Sequence, residues 1–335
     1  MDHIVVNTLC ALVMAFGLSA LQGPLVIPLL RRLKFGQTIR DDGPKTHLVK
    51  QGTPTMGGIM ILIALVLTSL LWGRANYTFT LIALCMCILF GCLGFVDDFI
   101  KIVKKRSLGL RAWQKIAGQF LLALGFAFWL YFTEGVGSTV FLDRMDIGVF
   151  YIPFAMFVII AIVNSVNLID GLDGLSSTVT STYSLFVAAL LVMFVLTSND
   201  MSVETASQMN AMAAFSAALC GACLGFLVHN AYPAKVFMGD AGAFTLGGAI
   251  SAVALLTRTT LLVPLMGICY VLTSVSVILQ VGSYKLRNKK RIFKMAPLHH
   301  HFEQCGVPET RIVSMYQVVT LIASAAALIL FWFVK

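Results

Sequence analysis

The chain has 335 residues, 59% of them hydrophobic and only 12% charged, with a formal net charge of +9. Soluble globular chains carry about 25% charged residues, so this chain cannot cover a water-facing surface of its size. A soluble multidomain enzyme, a nucleic-acid binder and a disordered chain are excluded, which leaves an integral membrane protein.

A helix needs about 20 mostly apolar residues to cross a bilayer. Such runs lie near 4–30, 56–73, 78–96, 113–132, 150–166, 176–197, 209–228, 241–257, 260–284 and 312–334. The expectation is an all-α polytopic bundle of about ten transmembrane helices, one domain over residues 1–335. The first run lacks a basic leader and ends at Arg31 and Arg32, so it reads as an uncleaved span. Cys220 and Cys223 sit in the apolar stretch SAALCGACLGF. With no second pair or histidine beside them, they read as small buried hydrophobes rather than zinc ligands.

Ten spans place five loops on one side, near 31–55, 97–112, 167–175, 229–240 and 285–311. Of the 24 Lys and Arg, only Arg74, Arg144, Arg258 and Lys335 fall on the other side. The positive-inside rule makes those five loops cytoplasmic and both termini external. Five carboxylates end apolar spans on that face, in GFVDDFIK, NLIDGLDG and FMGDAG. An Asp at helix-centre depth costs about 2.5–3.5 kcal/mol and less near the interface, so this clustering predicts an interfacial site. A secondary transporter would instead want ionisable groups near mid-span and discontinuous helices in two repeat halves.

The first cytoplasmic loop, DDGPKTHLVKQGTPTMGGIM, carries Lys45 and Lys50 and offers backbone N–H groups to phosphate oxygens. It is no Walker A loop, because no GK[ST] follows its glycines. In GFVDDFIKIVKKRS, adjacent Asp97 and Asp98 would point about 100° apart on a helix. That suits either two different roles or simple neutralisation of Lys101 and Lys105. In VNSVNLIDGLDGLSS, Asn164, Asn167, Asp170 and Asp173 recur every third residue, which makes them neighbours on a helix surface. Capping by Asp173 or Ser176 explains only part of that run.

HNAYPAKVFMGDAGAF supplies Asn230, Lys235, Phe237 and Asp240. Asp240 reads either as a helix cap or as a ligand for a hard cation such as Mg2+. Phe237 is placed to stack on a base. In MAPLHHHFE, His299, His300 and His301 are adjacent and lack metal-ligand spacing. Hydrogen bonds to phosphate or sugar suit them better. Acidic groups for Mg2+, an aromatic for a nucleoside and bases for phosphates suit a nucleotide-activated substrate meeting a lipid acceptor.

GTPTMGG, FVDDFIK, NLIDGLDG, HNAYPAKVFMGDAG and MAPLHHHFE, in this order, resemble the polyprenyl-phosphate N-acetylhexosamine-1-phosphate transferases. The HHH followed by Phe302 and Glu303 is more similar to the muramoyl-pentapeptide branch than to the N-acetylglucosamine branch. The resemblance implies transfer of phospho-N-acetylmuramoyl-pentapeptide from its UDP donor to undecaprenyl phosphate. It further implies lipid I and UMP as products, a requirement for Mg2+, a bacterial plasma-membrane setting and a homodimer. It makes Asp97 and Asp98 the catalytic pair and Asp240 both catalytic and the Mg2+ ligand. Asn167, Asp170, Gly171, Leu172, Asp173, Asn230 and Phe237 would hold the nucleoside end. Lys50, Thr55 and Lys115 would lie around the diphosphate and lipid phosphate, with His299, His300 and His301 nearby. The alternative is a sister enzyme moving N-acetylglucosamine-1-phosphate. Two mechanisms stay open: one-step attack with Asp97 as base, or a covalent phospho-enzyme with an Asp nucleophile.

Overall fold

A computed structural model describes residues 2–33, 50, 52–104, 109–140, 145–198 and 200–334. The expectations for loop residues 34–49, Lys105, Arg106, Arg144 and Lys335 therefore lie outside the described residues. Among the described residues the regular structure is helical apart from a two-residue antiparallel ladder. Helices α1 (Asp2–Arg32), α2 (Gly58–Trp72), α3 (Tyr77–Val103) and α4 (Ala112–Tyr131) come first. Strands β1 (Thr139–Val140) and β2 (Met145–Asp146) follow, pairing Thr139 with Asp146. Then come α5 (Tyr151–Ile169), α6 (Leu175–Thr197), α7 (Val203–Asn230) and α8 (Gly239–Leu256). The chain ends with α9 (Val263–Met266), α10 (Ile268–Leu286), α11 (Leu298–Gln304) and α12 (Glu309–Val334).

Local chemistry sets several of these boundaries. The Asn76 side chain accepts the Phe79 N–H at 3.0 Å and caps α3, while Ser202 accepts the Thr205 N–H at 3.1 Å and caps α7. The start of α6 differs from expectation. Neither Asp173 nor Ser176 caps it; Gly174 stands at the cap with φ +74° and no side-chain cap bond is made.

Among the described residues, eight helices are each long and apolar enough to cross a membrane. Gly58–Trp72 has only 15 residues. Helix α4 has the length, but Gln114, Lys115 and Gln119 make its first half polar. The expected span 260–284 is broken: a 3-10 turn over Thr260–Leu262 leads into four-residue α9, and α10 begins after Gly267. Pro264 supplies the physical reason, since its ring and missing N–H suit a first helical turn but not a helix interior.

The bundle has an inside and an outside. Every residue of α8 from Ala241 to Leu256 is buried, as expected for a helix apolar all round. It packs against α3 and α5, while α7 packs against α1 and α6. Helices α1 and α12 instead present Leu21, Leu25 and Phe333 outward, as lipid-facing elements do. Small residues let the inner helices approach closely. At Gly94 of α3, a Cβ would collide with the backbone carbonyl of Asp240 at the start of α8. That approach positions the site.

Candidate active site

Helix α3 runs on to Val103, so Asp97, Asp98 and Lys101 lie on its last turns rather than in a loop beginning at 97. Both aspartates are almost fully buried, 1% and 2% exposed, and buried charges persist only with partners. Each carboxylate splits its oxygens. Asp97 Oδ1 accepts the Leu110 N–H at 2.8 Å, and its Oδ2 lies 2.7 Å from Lys101 Nζ. Asp98 Oδ2 accepts the Ala241 N–H at 3.1 Å, and its Oδ1 lies 3.1 Å from the same ammonium. The two adjacent aspartates thus anchor different backbone segments and still share one cation.

Asp240, in the first turn of α8, completes the cluster. Its Oδ2 accepts from Lys101 Nζ at 2.7 Å and from Lys115 Nζ at 2.8 Å, and its Oδ1 accepts from Asn167 Nδ2 at 2.7 Å. Lys115 also lies 3.5 Å from Asp97 Oδ2. Asp97, Asp98 and Asp240 each offer an oxygen, all within 4.8 Å of one another. Lys101 Nζ sits where these oxygens converge. Three carboxylates without nitrogen or sulfur form a donor set that suits a small hard cation such as Mg2+, so these residues fit one.

Gly239 shows how tightly this corner is built. It holds φ +74°, and a Cβ there would come 2.5 Å from Asp98 Oδ2 and 2.9 Å from Thr55 Oγ1. The left-handed backbone and the close approach both favour glycine. Thr55 is thereby brought to the carboxylate cluster. The 54–58 segment is held from below, since Phe237 N–H donates to Pro54 O at 2.8 Å and Gly57 N–H donates to Phe237 O at 2.9 Å. Phe237 is half-buried at that junction.

The every-third-residue run of α5 divides. The helix ends at Ile169, so Asp170 and Asp173 leave its surface and only Asn167 reaches Asp240. Asn164 instead exchanges bonds with Gln119 of α4, its Nδ2 donating to Oε1 at 2.7 Å. Asp170 sits in the turn between α5 and α6. Burial, then the negative charges of Asp240, Asp98 and Asp173, push its carboxyl up to about 8.

A second ionic group lies beside the first. Lys50 Nζ is 2.7 Å from Asp173 Oδ1 and 2.7 Å from Glu309 Oε1. Burial alone would lower the Lys50 pKa, but Asp173 and Glu309 together hold it above the usual lysine value. Asn230 has both ends of its amide occupied: Oδ1 accepts the Gly174 N–H at 3.1 Å, and Nδ2 donates to Val236 O at 2.9 Å. It ties the α5–α6 turn to the α7–α8 loop. Leu172 is buried, 5% exposed, within the hydrophobic core.

The three histidines part company. His299, fully buried, packs edge-on to His300 with ring centroids 4.3 Å apart. Both imidazoles meet the space that a Cβ on Gly171 would fill, so α11 lies over the NLIDG turn. His300 Nδ1 is 2.9 Å from Glu303 Oε2. His301 turns elsewhere, its Nδ1 accepting the Lys294 N–H at 3.1 Å and its ring meeting Phe293.

Sequence reasoning had left Lys101 and Glu309 out of the site. Lys101 was legible, because it follows Asp98 by three positions and Asp97 by four, the spacing of helical ion pairs. Glu309 carried no local signal, being 136 residues from Asp173 and 259 from Lys50.

The Glycosyl transferase family 4 model matches residues 79–258. The Phospho-N-acetylmuramoyl-pentapeptide-transferase signature 1 matches residues 50–62, the segment holding Lys50 and Thr55. A phospho-N-acetylmuramoyl-pentapeptide-transferase of Clostridioides difficile (strain 630) is 46% identical over 319 residues, 94% of this chain and 95% of that relative. The chain belongs to the phospho-N-acetylmuramoyl-pentapeptide-transferase family. Another member, from Heliobacterium modesticaldum, is 44% identical over 325 residues, 96% of each chain. One from Caldanaerobacter subterraneus is 48% identical over 316 residues, 93% of this chain. The family's signature segment meets the acidic cluster at Thr55 and Gly239, where the glycine leaves no room for a Cβ.

Proposed function

We propose that the chain transfers phospho-N-acetylmuramoyl-pentapeptide from its UDP donor to undecaprenyl phosphate, yielding lipid I and UMP in a bacterial cell membrane. The names of its relatives support the reaction. The observation that carries it is the convergence of Asp97, Asp98 and Asp240 with two lysines at the ends of apolar helices. In this reading ten helices cross the membrane with both termini external, and the cluster faces the cytoplasm. The distribution of lysine and arginine along the sequence supports that side. The resemblance supports a homodimer.

Asp97, Asp98 and Asp240 would hold Mg2+. Bound there, the ion would neutralise charge developing on the departing UMP. Asn167 orients the Asp240 carboxylate, and Leu110 N–H fixes one oxygen of Asp97. Asp97 takes the proton of the acceptor phosphate, whose oxygen attacks the β-phosphorus of the donor. Lys101, Lys115 and Lys50 neutralise phosphate oxygens as point charges. Phosphoryl transfer asks mainly for such positioning and charge stabilisation.

The test is UMP release with undecaprenyl phosphate and Mg2+, offering either UDP-N-acetylmuramoyl-pentapeptide or UDP-N-acetylglucosamine. The muramoyl donor should be preferred. Preference for UDP-N-acetylglucosamine would overturn the substrate assignment. A labelled phospho-sugar trapped on the protein without lipid acceptor would overturn the one-step route.

A further inference from the structure

Glu309 opens α12, yet its carboxylate is not spent on its own helix. Oε1 lies 2.7 Å and Oε2 2.9 Å from Lys50 Nζ, so the ammonium meets both oxygens. Oε1 also accepts the backbone N–H of Asp173 at 2.5 Å. Asp173 closes the ring, with Oδ1 on Lys50 Nζ at 2.7 Å and Oδ2 accepting the Ala234 N–H at 3.0 Å. The Tyr232 ring lies 5.9 Å from the same ammonium. One lysine head is thus enclosed by the α5–α6 turn, the α7–α8 loop and the start of α12.

These groups are largely withdrawn from water: the Asp173 side chain is 3% exposed and the Glu309 side chain 10%. Charge-assisted bonds of this length are the strong ones. An ammonium has three N–H donors, and Asp173 Oδ1 and both Glu309 oxygens accept from this one, which fixes where its charge sits. A lysine side chain free in water would spread its head over many rotamers. Here the head is confined before any ligand arrives, and preorganisation of this kind lowers the ordering cost of binding.

We infer that Glu309 is a positioning residue: it fixes Lys50 and the Asp173 turn so that the positive charge of Lys50 is held toward the diphosphate of the nucleotide-sugar donor. The inference rests on the reading of Lys50 as a phosphate-binding residue. Glu309 itself touches no substrate. Its removal acts through Lys50, so the loss belongs to donor binding rather than to the chemical step.

The experiment is a double-mutant cycle on the full-length protein in detergent, with Glu309→Gln, Lys50→Met and the pair. UMP release gives KM for the UDP-N-acetylmuramoyl-pentapeptide donor, kcat, and the dependence on undecaprenyl phosphate and on Mg2+; thermal unfolding is followed alongside. Glu309→Gln keeps the size and an acceptor for the Asp173 N–H. It should raise the donor KM about tenfold, the loss expected for one charge-assisted bond. The dependence on undecaprenyl phosphate and Mg2+ should stay unchanged. The double variant should be no worse than Lys50→Met, because partners in one network are not additive. Fully additive losses, or a Glu309→Gln effect confined to kcat and melting temperature, would overturn the Glu309 assignment while a raised KM in Lys50→Met kept the Lys50 reading. An unchanged donor KM in Lys50→Met would remove the Lys50 reading and the Glu309 assignment with it.

Discussion

Asp240→Asn isolates the charge on which the proposed metal site depends. In the described cluster Asp97, Asp98 and Asp240 face Lys101 and Lys115, leaving one negative charge in excess. Asn keeps the shape and one acceptor oxygen but removes that excess. A unit charge removed about 4 Å from another weakens the attraction by about 4 kcal/mol at an effective dielectric near 20. At about 1.4 kcal/mol per tenfold, this is roughly a thousandfold in affinity, before doubling for a divalent ion. Relaxation of Lys101 toward Asp97 and Asp98 offsets part of the loss, so at least a hundredfold weaker apparent Mg2+ affinity is expected. The assay is UMP release against Mg2+ concentration, with melting temperature measured on the same samples. Turnover should collapse at Mg2+ concentrations that saturate the wild type, and the variant should remain folded. Near-normal turnover with an unchanged Mg2+ dependence would remove Asp240 from the metal site.

Three further outcomes follow from the geometry. Gly94→Ala places a methyl against the Asp240 carbonyl, so overpacking should cost about 1–3 kcal/mol and separate α8 from the Asp97–Asp98 pair; an unchanged melting temperature and UMP release would contradict this. Asp170 is held up to about 8 in the fold, above about 3.9 for the unfolded chain. Its protonated form therefore stabilises the protein fully below about pH 4, and that contribution is lost as pH rises through about 8. Thermal stability of the Mg2+-free protein should fall between about pH 6 and 8, and Asp170→Asn should flatten the slope; equal slopes would refute the assignment. Finally, His299→Ala should lose most turnover by loosening α11 from the Gly171 turn, whereas His301→Ala, facing Phe293 and Lys294, should stay within about threefold of wild type. A reversed order in UMP release would show the placement of α11 to be misread.

Much of the architecture is legible in composition and pattern. Long apolar runs force helices because a backbone in hydrocarbon must satisfy its own hydrogen bonds, and the strand content is correspondingly slight. The motif positions are legible for a related reason: Asp, Asn and Gly interrupt apolar runs at a cost and therefore stand out. Where local cues compete, the reading slips. Asn164 through Asp173 carry helical spacing, yet α5 stops at Ile169, because Gly171 and Gly174 favour a turn that the period alone does not reveal.

By itself, then, the sequence determined a polytopic helical membrane protein with its few charges collected near span ends, since hydropathy and charge are sums over local residues. It also marked Asp97, Asp98 and Asp240 as chemically exceptional. Only the tertiary structure decided which groups meet. Asp97 and Asp98 on α3 reach Asp240 on α8 because Gly94 lets the helices touch, and Lys101 and Lys115 converge between them. Glu309 closes on Lys50 across 259 residues of chain. Ion pairs and metal donor sets form between side chains brought within a few ångströms, and that distance is a property of packing rather than of any local stretch of sequence.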